Sequence, residues 1–533
     1  MTDHTDFGVL YGQKTTEDAL LIYSSYEDAK ASPKIGDFIV LTPKNEEGQK
    51  FLTRVEEEVY DEDPIFRSQD KTLVAVHYAR IAERELSERD KQKMFSYTYK
   101  VKLLGTYLDA GNFTTAVRKL PVVSYHARHL SKREVDEIIN KQNLSGAIIG
   151  NICIGEEIHK DKGDILFDVN RLREKRTMVF AQSGFGKTNL VKVLLYHIVG
   201  DESFGKLIFD LNGEYFAKSQ DTLGLGDINE QKIKNNVVVY TDKDVSSYKN
   251  HFIFGGKVLI NSHKHLSVGD ILNFSTGFSE VMKSFLLYLD EEGVSDFIEK
   301  IDNYVAHPEE LHKSYPDFFK DKDKSAQITI AAIRKRIRHL IDDGKGIHSN
   351  QSVMLEKIFE YLKQGKTVIV DLSLKDTADA SIISTVLTRK LFEHNKSEFI
   401  NSKLDSIIET VIFVEEAQNV LSEELVKSNA NPFVRCAKEG RKFKLGMVTI
   451  TQRPSAISEE IRTQAENFFA FHMGNSDDIK ALVKSNIHYD GVISKFIQRE
   501  TIKGNLYMVT SESAFVVPIR VLEFEKLVNS KKY

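Results

Sequence analysis

The sequence predicts an α/β protein: a small N-terminal β-barrel, then a core on a mostly parallel sheet, with a helical insertion in that core. Three observations carry the expectation. The first ~120 residues hold short runs rich in Val, Ile, Tyr, Phe and Thr, separated by charged or Gly/Pro-containing links, as small antiparallel barrels do. From residue ~145 onward, short continuous apolar runs alternate with helical stretches, which is how buried parallel strands read. Between ~262 and ~362 the strand runs stop and apolar residues recur at helical spacing.

The barrel is expected over 1–125, with strands in GDFIVLTP (36–43), KFLTRVEEEVY (50–60), TLVAVHYARI (72–81) and YTYKVKLLGTYL (97–108). The mixed-charge stretch IAERELSERDKQKM reads as a solvated helix or loop. The first part of the core, 126–261, takes TMVFA (177–181), LIFDL (207–211) and VVVY (237–240) as strands. The insertion, 262–362, contains FSEVMKSFLLYLDEEGVSDFIEKIDNYV and SAQITIAAIRKRIRHLIDD. Its basic run from Arg334 to His339 suits a solvated helix face better than a DNA path. The second part, 363–500, takes TVIVDLS, TVIFVEEA, LGMVTIT and FFAFHM as strands, and 501–533 supplies C-terminal strands and a tail.

Composition narrows the class. In 533 residues, 41% hydrophobic and 28% charged, wholesale disorder is excluded. Lys+Arg 73 against Asp+Glu 78 gives a net charge of −5, which excludes a uniformly basic DNA-coating protein and leaves room for a local basic channel. Two cysteines cannot build a disulfide framework or a four-cysteine zinc site. No apolar run approaches the ~18 residues of a membrane span, and the start has no signal-peptide pattern. A cytoplasmic protein with no membrane association is expected.

One run carries phosphate chemistry. TMVFAQSGFGKTNLVKVLLYHIV passes from an apolar strand through a glycine-containing loop into a helix with Leu190, Leu194, Leu195 and Ile198 on one side. Wrapping a phosphate needs small residues whose successive N–H groups curl around the anion, with a helix N-terminus behind them. It also needs a lysine reaching the β/γ-phosphates and a hydroxyl for Mg²⁺. Gly184, Gly186, Lys187 and Thr188 meet these demands, and Ser183, Gly184, Phe185, Gly186, Lys187, Thr188 and Asn189 are the expected nucleotide-binding residues, with ATP and Mg²⁺ as the cofactors. Ala181 stands where the pattern has its first glycine, which is tolerable if its φ stays negative.

Such a site also needs a carboxylate near the Mg²⁺ and a second that orients or deprotonates the attacking water. TVIVDLS ends in a single Asp371, whereas TVIFVEEAQ ends in Glu415-Glu416 and offers both at adjacent positions. Glu415 is therefore assigned to Mg²⁺ through water and Glu416 to the attacking water. Asp371 is a lesser candidate, since strand-end capping is its commoner use. RCAKEGRKFKLGMVTITQRPS sets Arg435 and Arg441 before a strand and Gln452 at its tip. A glutamine there suits a γ-phosphate sensor, and either arginine suits a finger for a neighbouring subunit. LIFDLNGEYF adds Asp210 and Glu214 at another strand end, where turn chemistry at Asn212-Gly213 is an adequate alternative. The sixteen histidines, HKH at 263–265 included, lack spaced partners for a metal.

QSGFGKTNL, DLNGEY, VDLS, VIFVEEAQ and KEGRKFKLGMVTITQRPS together resemble, in order, the HerA-type hexameric translocases of the HerA/FtsK superfamily, which are RecA-like P-loop motors. IKGNLYMVTSESAFVVPIRV is similar to the strands that follow the motor in that family, and the N-terminal region to its small barrel. The resemblance spans nearly the whole chain. It implies Lys187 and Thr188 on ATP–Mg²⁺, Glu416 as the catalytic acid, Gln452 as sensor, Arg441 as the finger from the adjacent subunit and Glu214 near the nucleotide. The departures are Ala181, Glu415, and Gln418 where histidine is more usual. The resemblance further implies a homo-oligomer, a hexamer, with DNA in its central pore and a separate effector protein. That effector is a NurA-type nuclease in DNA end processing, or another nuclease-like effector or a sirtuin-like NAD hydrolase in antiviral defence. An ATP-switched scaffold without translocation and a conjugation- or secretion-type ATPase are the alternatives left open.

Overall fold

The computed structural model describes residues 6–14, 19–25, 33–61, 96–140, 146–218, 222–248, 251–274, 278–291, 296–307, 323–344, 346–427, 431–511, 513 and 515–529. Contacts divide the chain into two compact units, Met1–Asp168 with Ala470–Leu522 and Val169–Phe469 with Glu523–Tyr533. The first unit thus runs past the boundary expected at 125, and takes in a segment from late in the chain.

Six strands of the first unit close a barrel: β1 (Gly8–Lys14), β2 (Ala19–Ser25), β3 (Phe38–Thr42), β4 (Lys50–Asp61), β5 (Ser96–Tyr107) and β6 (His126–His129). Their order is β1-β2-β5-β4-β3-β6, antiparallel throughout. Side chains two or four apart point inward: Leu20 and Ile22, Ile39 and Leu41, Phe51 and Val55, Tyr99 and Val101. The runs expected at 36–43, 50–60 and 97–108 appear as β3, β4 and β5. The expected strand at 72–81 and the mixed-charge stretch after it lie outside the described residues. GVLYGQK and HARH, which form β1 and β6, carry glycine and polar residues and show no strand signal by themselves; ring closure recruits them.

A buried ion pair anchors β6. The Arg128 guanidinium, 2% exposed, donates twice to Glu134 at 2.9 Å and once to Glu46 at 3.0 Å. Tyr107 Oη donates to the same Glu134 carboxylate at 2.7 Å, as do the Ser131 amide at 3.0 Å and hydroxyl at 2.7 Å. Burial by itself would raise the Glu134 pKa; Arg128 and the other donors outweigh it and hold the carboxyl down to about 2. Because the folded pKa is depressed, this stabilisation is complete above the ordinary value of 4.5 and is lost as pH falls from there through about 2. Glu134→Gln leaves a buried guanidinium short of its counter-charge, an expected loss of about 3–5 kcal/mol. An unchanged urea midpoint at neutral pH would contradict it.

The first unit continues with β7 (Ala147–Ile154), β8 (Glu157–Ile158) and β9 (Asp164–Phe167), where β7 pairs antiparallel with both others. The second unit then supplies β10 (Arg176–Phe180), β11 (Gly205–Asp210), β12 (Val237–Tyr240), β13 (Ile253–Gly256), β14 (Thr367–Asp371), β15 (Thr410–Val414), β16 (Leu445–Thr451) and β17 (Asn467–Ala470). Their order is β13-β12-β14-β11-β15-β16-β10-β17, parallel from β13 through β10. Every residue of β11, β12, β14, β15 and β16 is buried, so helices cover both faces and no alternation survives in their sequences.

The longer helices of the second unit are α1 (Lys187–Ile198), α2 (Glu280–Glu291), α3 (Phe297–Ala306), α4 (Asp323–Ile341), α5 (Met354–Lys363), α6 (Thr377–Ile400) and α7 (Pro432–Glu439). Those within 262–362 bury one stripe each, for example Met282, Phe285, Leu286 and Leu289 on α2. The basic run on α4 is ion-paired: Arg334 reaches Asp302 and Asp342, and Arg338 meets Asp342 at 2.7 Å. Parallel strands end at one edge, and five of those ends carry Ala181, Asp210, Asp371, Glu415 and Gln452. In open α/β sheets that edge is where ligands bind.

The chain returns to the first unit through α8 (Ser476–Ser485), α9 (Val492–Arg499), β18 (Asn505–Val509) and β19 (Val517–Val521). The hairpin β18–β19 adds to β7, with Ile519 opposite Ile152. The last described element, α10 (Phe524–Asn529), is a helix of the second unit where the sequence suggested only a tail after the strands. Among the described residues no helix is long and apolar enough to cross a membrane.

Candidate active site

The loop between β10 and α1 takes its shape from two glycines. Gly184 (φ +81°) and Gly186 (φ +113°) occupy left-handed conformations that side chains resist, and a Cβ on Gly184 would point into open space. At Gly184 the requirement is conformational rather than steric. Ala181 keeps a negative φ, and its amide continues the strand pairing onto the Thr451 carbonyl at 3.3 Å. The condition that made alanine tolerable is therefore met. α1 is held by Leu190, Val193, Leu194, Leu195 and Ile198, all buried, so its N-terminus is fixed behind the loop.

A cleft of about 560 Å³ opens over this loop. Ser183, Gly184, Gly186, Lys187, Thr188 and Asn189 line one side, with Asn212, Glu214, Glu415, Glu416 and Gln452 across from them. Phe185, Asp371, Arg435 and Arg441 do not line it. Lys187 Nζ donates to the Ala181 carbonyl at 3.1 Å. Burial lowers its pKa, while Glu416, Glu415 and Glu214 act to raise it. The Thr188 hydroxyl donates to Glu214 at 2.7 Å.

Glu214 arrives there because Asp210, buried at the end of β11, gathers the loop that follows. Its carboxylate accepts the amides of Gly213 (2.7 Å), Glu214 (3.1 Å) and Tyr215 (3.0 Å). Burial raises the Asp210 pKa to about 6 against these hydrogen bonds. Glu415, expected on the metal side, lines the cleft with its carboxylate engaged by other groups. It accepts the Tyr215 hydroxyl at 2.9 Å and the Leu211 amide at 3.1 Å, and burial, with Asp210 nearby, pushes its pKa well above the carboxylate range. A carboxyl held this way suits a structural tie between β15 and the Asp210 loop, and Glu214 is the carboxylate that meets the Thr188 hydroxyl.

Glu416 lies one residue on, at φ +44°, and accepts Gln418 Nε2 at 2.7 Å and Gln452 Nε2 at 3.0 Å. Asp371 is occupied elsewhere, accepting the Thr241 and Ser373 hydroxyls at 2.6 Å with Lys243 at 3.4 Å. The Arg435 guanidinium lies over the Phe392 ring at 4.4 Å. Arg441 is 69% exposed, its nearest acidic group Glu466 at 4.0 Å. The Asn189 side chain accepts the first amide of α10, Phe524 N–H, at 2.8 Å. Lys192, Thr222, Ile450 and Glu525 also line the cleft and carried no sequence signal. Lys192, buried on α1, donates to the Leu223 carbonyl at 2.7 Å, and Glu525 of α10 accepts the Leu223 amide at 3.1 Å.

Residues 152–391, which contain the β10–α1 loop, match the family model described as the central domain of helicase HerA. Two HerA sequences align over most of the chain. The DNA double-strand break repair helicase HerA of Saccharolobus solfataricus is 23% identical over 90% of this chain and 85% of its own length. Over most of its length the chain is similar to the HerA helicases. The HerA of Sulfurisphaera tokodaii is 23% identical over 69% of this chain, and the match spans 66% of that protein. Residues 319–479, which contain Glu416 and Gln452, also match a model described as zonular occludens toxin (Zot). Among solved structures, the bacterial conjugative coupling protein TrwB aligns over 74% of this chain and 93% of its own, at 11% identity and a TM-score of 0.44.

Proposed function

We propose that this protein, which is similar to the HerA helicases, is an ATP-hydrolysing DNA translocase that works as a ring, a hexamer with DNA in its pore. The observation that carries the reading is one cleft holding Lys187, Thr188 with Glu214, and Glu416 with Gln452. The residues fit ATP and Mg²⁺. The left-handed glycines present backbone amides at the head of α1, and Thr188 with Glu214 offers a hydroxyl and a carboxylate to a hydrated cation. Bound Mg²⁺ supplies neutralising charge on the phosphates. Lys187 reaches the β/γ-phosphates, and Glu416 orients the attacking water and takes its proton. Gln452, at the tip of β16 beside the acid strand, reports whether the γ-phosphate is present. Arg441, exposed on its own subunit, completes the cleft of the next one.

The finer part of the reading is a separate effector, a NurA-type nuclease, another nuclease-like effector or a sirtuin-like NAD hydrolase, in antiviral defence or DNA end processing. It rests on the family resemblance and is tested by co-purification of the protein encoded alongside. The motor itself is tested by steady-state ATP turnover with and without duplex DNA, beside mass photometry. Turnover stimulated by DNA, in an assembly of six, is expected, with Lys187→Ala folded and inactive. Full activity in a Lys187→Ala variant, or in a stable monomer, would overturn the reading. Turnover indifferent to DNA would favour the ATP-switched scaffold instead.

A further inference from the structure

Glu416 is held on both carboxylate oxygens, and the two holds differ in kind. Gln452 reaches Oε1 from the tip of β16. Gln418 reaches Oε2 from the turn Ala417–Asn419 that follows Glu416. The Gln418 amide is itself oriented. Its Oε1 lies 2.6 Å from Thr451 Oγ1, and that same Oγ1 accepts the Arg453 amide at 3.0 Å. A hydroxyl has one proton to give. The Glu416 carboxylate only accepts, so the Gln418 amide turns its NH₂ toward it and its Oε1 toward Thr451. The Thr451 hydroxyl proton goes to that Oε1, while its oxygen accepts the Arg453 amide. Hydrogen bonds thus run in one direction, from the Arg453 backbone through Thr451 and Gln418 to the carboxylate. Thr451 is fully buried at the end of β16, so the chain starts from a rigid point.

The backbone of Glu416 adds an independent observation. A glutamate at φ +44° costs about 1–2 kcal/mol relative to ordinary conformations and persists where the surroundings over-determine it. The Gln418 hydrogen bond closes across this left-handed residue and ties its side chain to the turn.

We propose that Gln418, oriented by Thr451, is the positioning residue for Glu416. It fixes the plane of the carboxylate, while Gln452 is the arm that exchanges between Glu416 and the γ-phosphate. This rests on the ATPase reading of the cleft. A residue that acts only on the alignment of the base lowers kcat and spares nucleotide binding.

The experiment compares kcat, and affinity for a slowly hydrolysed ATP analogue, in Gln418→Ala, Gln418→Glu, Gln418→His, Thr451→Val and Thr451→Ser, beside Lys187→Ala and Glu416→Gln. Gln418→Ala and Gln418→Glu are expected to lower kcat about 10–100-fold, the usual cost of losing an orienting partner, with affinity unchanged. Gln418→His should recover most of it, because a neutral imidazole offers one acceptor to Thr451 and one donor to Glu416. Thr451→Val should reproduce the loss and Thr451→Ser should not. Wild-type kcat in Gln418→Ala, a fall in affinity that matches the fall in kcat, or no recovery with histidine would each overturn the proposal. Retained turnover in Lys187→Ala and Glu416→Gln would instead overturn the ATPase reading, so the two failures are distinguishable.

Discussion

Glu416→Gln is expected to bind ATP as the wild type does and to turn it over about 10²–10⁴-fold more slowly, the range for loss of a general base. The substitution keeps the shape of the side chain, and Thr188, Glu214 and Lys187 are untouched. What is lost is the acceptor for the proton of the attacking water. Two further variants make the result decisive. Glu415→Gln should have a much smaller effect on turnover, since Tyr215 and Leu211 hold that carboxyl as a tie between β15 and the Asp210 loop. Asp371→Asn should leave chemistry intact, because Thr241, Ser373 and Lys243 engage it off the cleft. Single-turnover assays with bound-nucleotide measurements separate the three. If Asp371→Asn is the variant that traps ATP, the acid strand is β14 and the site has been placed on the wrong strand.

Arg441→Ala is expected to lower turnover by about 10³–10⁵, the worth of an arginine finger, with ATP affinity retained. The contrast with a local role is large. An arginine 69% exposed and 4.0 Å from Glu466 contributes ~0–1 kcal/mol where it stands. Arg435 is the weaker candidate, because its guanidinium is already stacked on Phe392 within its own subunit. Mixing Arg441→Ala with Lys187→Ala subunits should restore part of the activity, since some interfaces then pair an intact Lys187 with an intact Arg441. A cis role predicts no rescue, and a surface role predicts a nearly wild-type Arg441→Ala protein. Should Arg441→Ala be silent and Arg435→Ala inactive, the finger lies six residues upstream.

Much of the site was legible because its parts are local. The strand–loop–helix around Gly184, Gly186, Lys187 and Thr188 is contiguous, and its conformational demands are written in residue types. Glu416 and Gln452 were readable as polar residues at the ends of buried apolar strands, and β15 and β16 prove to be neighbours. The contact between Thr188 and Glu214 was not legible. Adjacency favoured Glu415 for the metal side; its carboxylate lines the cleft and also holds the Tyr215 hydroxyl and the Leu211 amide, a tie that no spacing displays. Glu214 comes into place through three amides gathered on Asp210, and a sequence does not display such a loop shape. Gln418 stood out only as a departure from a family habit; its use depends on Thr451, thirty-three residues away. In the barrel, β1 and β6 are strands because closure requires them, and no periodicity in GVLYGQK or HARH announces it.

The pairing of β7 with β19 sets a constraint on biosynthesis. Roughly 300 residues of the second unit are interposed between the two segments of the first. At about 5–20 residues per second, a ribosome needs on the order of 15–60 s to make them. During that interval AIIGNICI has β9 on one edge and no β19 on the other. An apolar strand with an open edge invites pairing with another chain. The nascent first unit therefore presents an open strand edge throughout that interval, and chaperone capture of chains halted between residues 170 and 515 is expected to exceed that of the completed chain. A circular permutant that joins the two termini and opens the chain between β17 and α8 would place β18 and β19 ahead of β7 in synthesis and remove the wait, without altering a single residue of the ATP cleft.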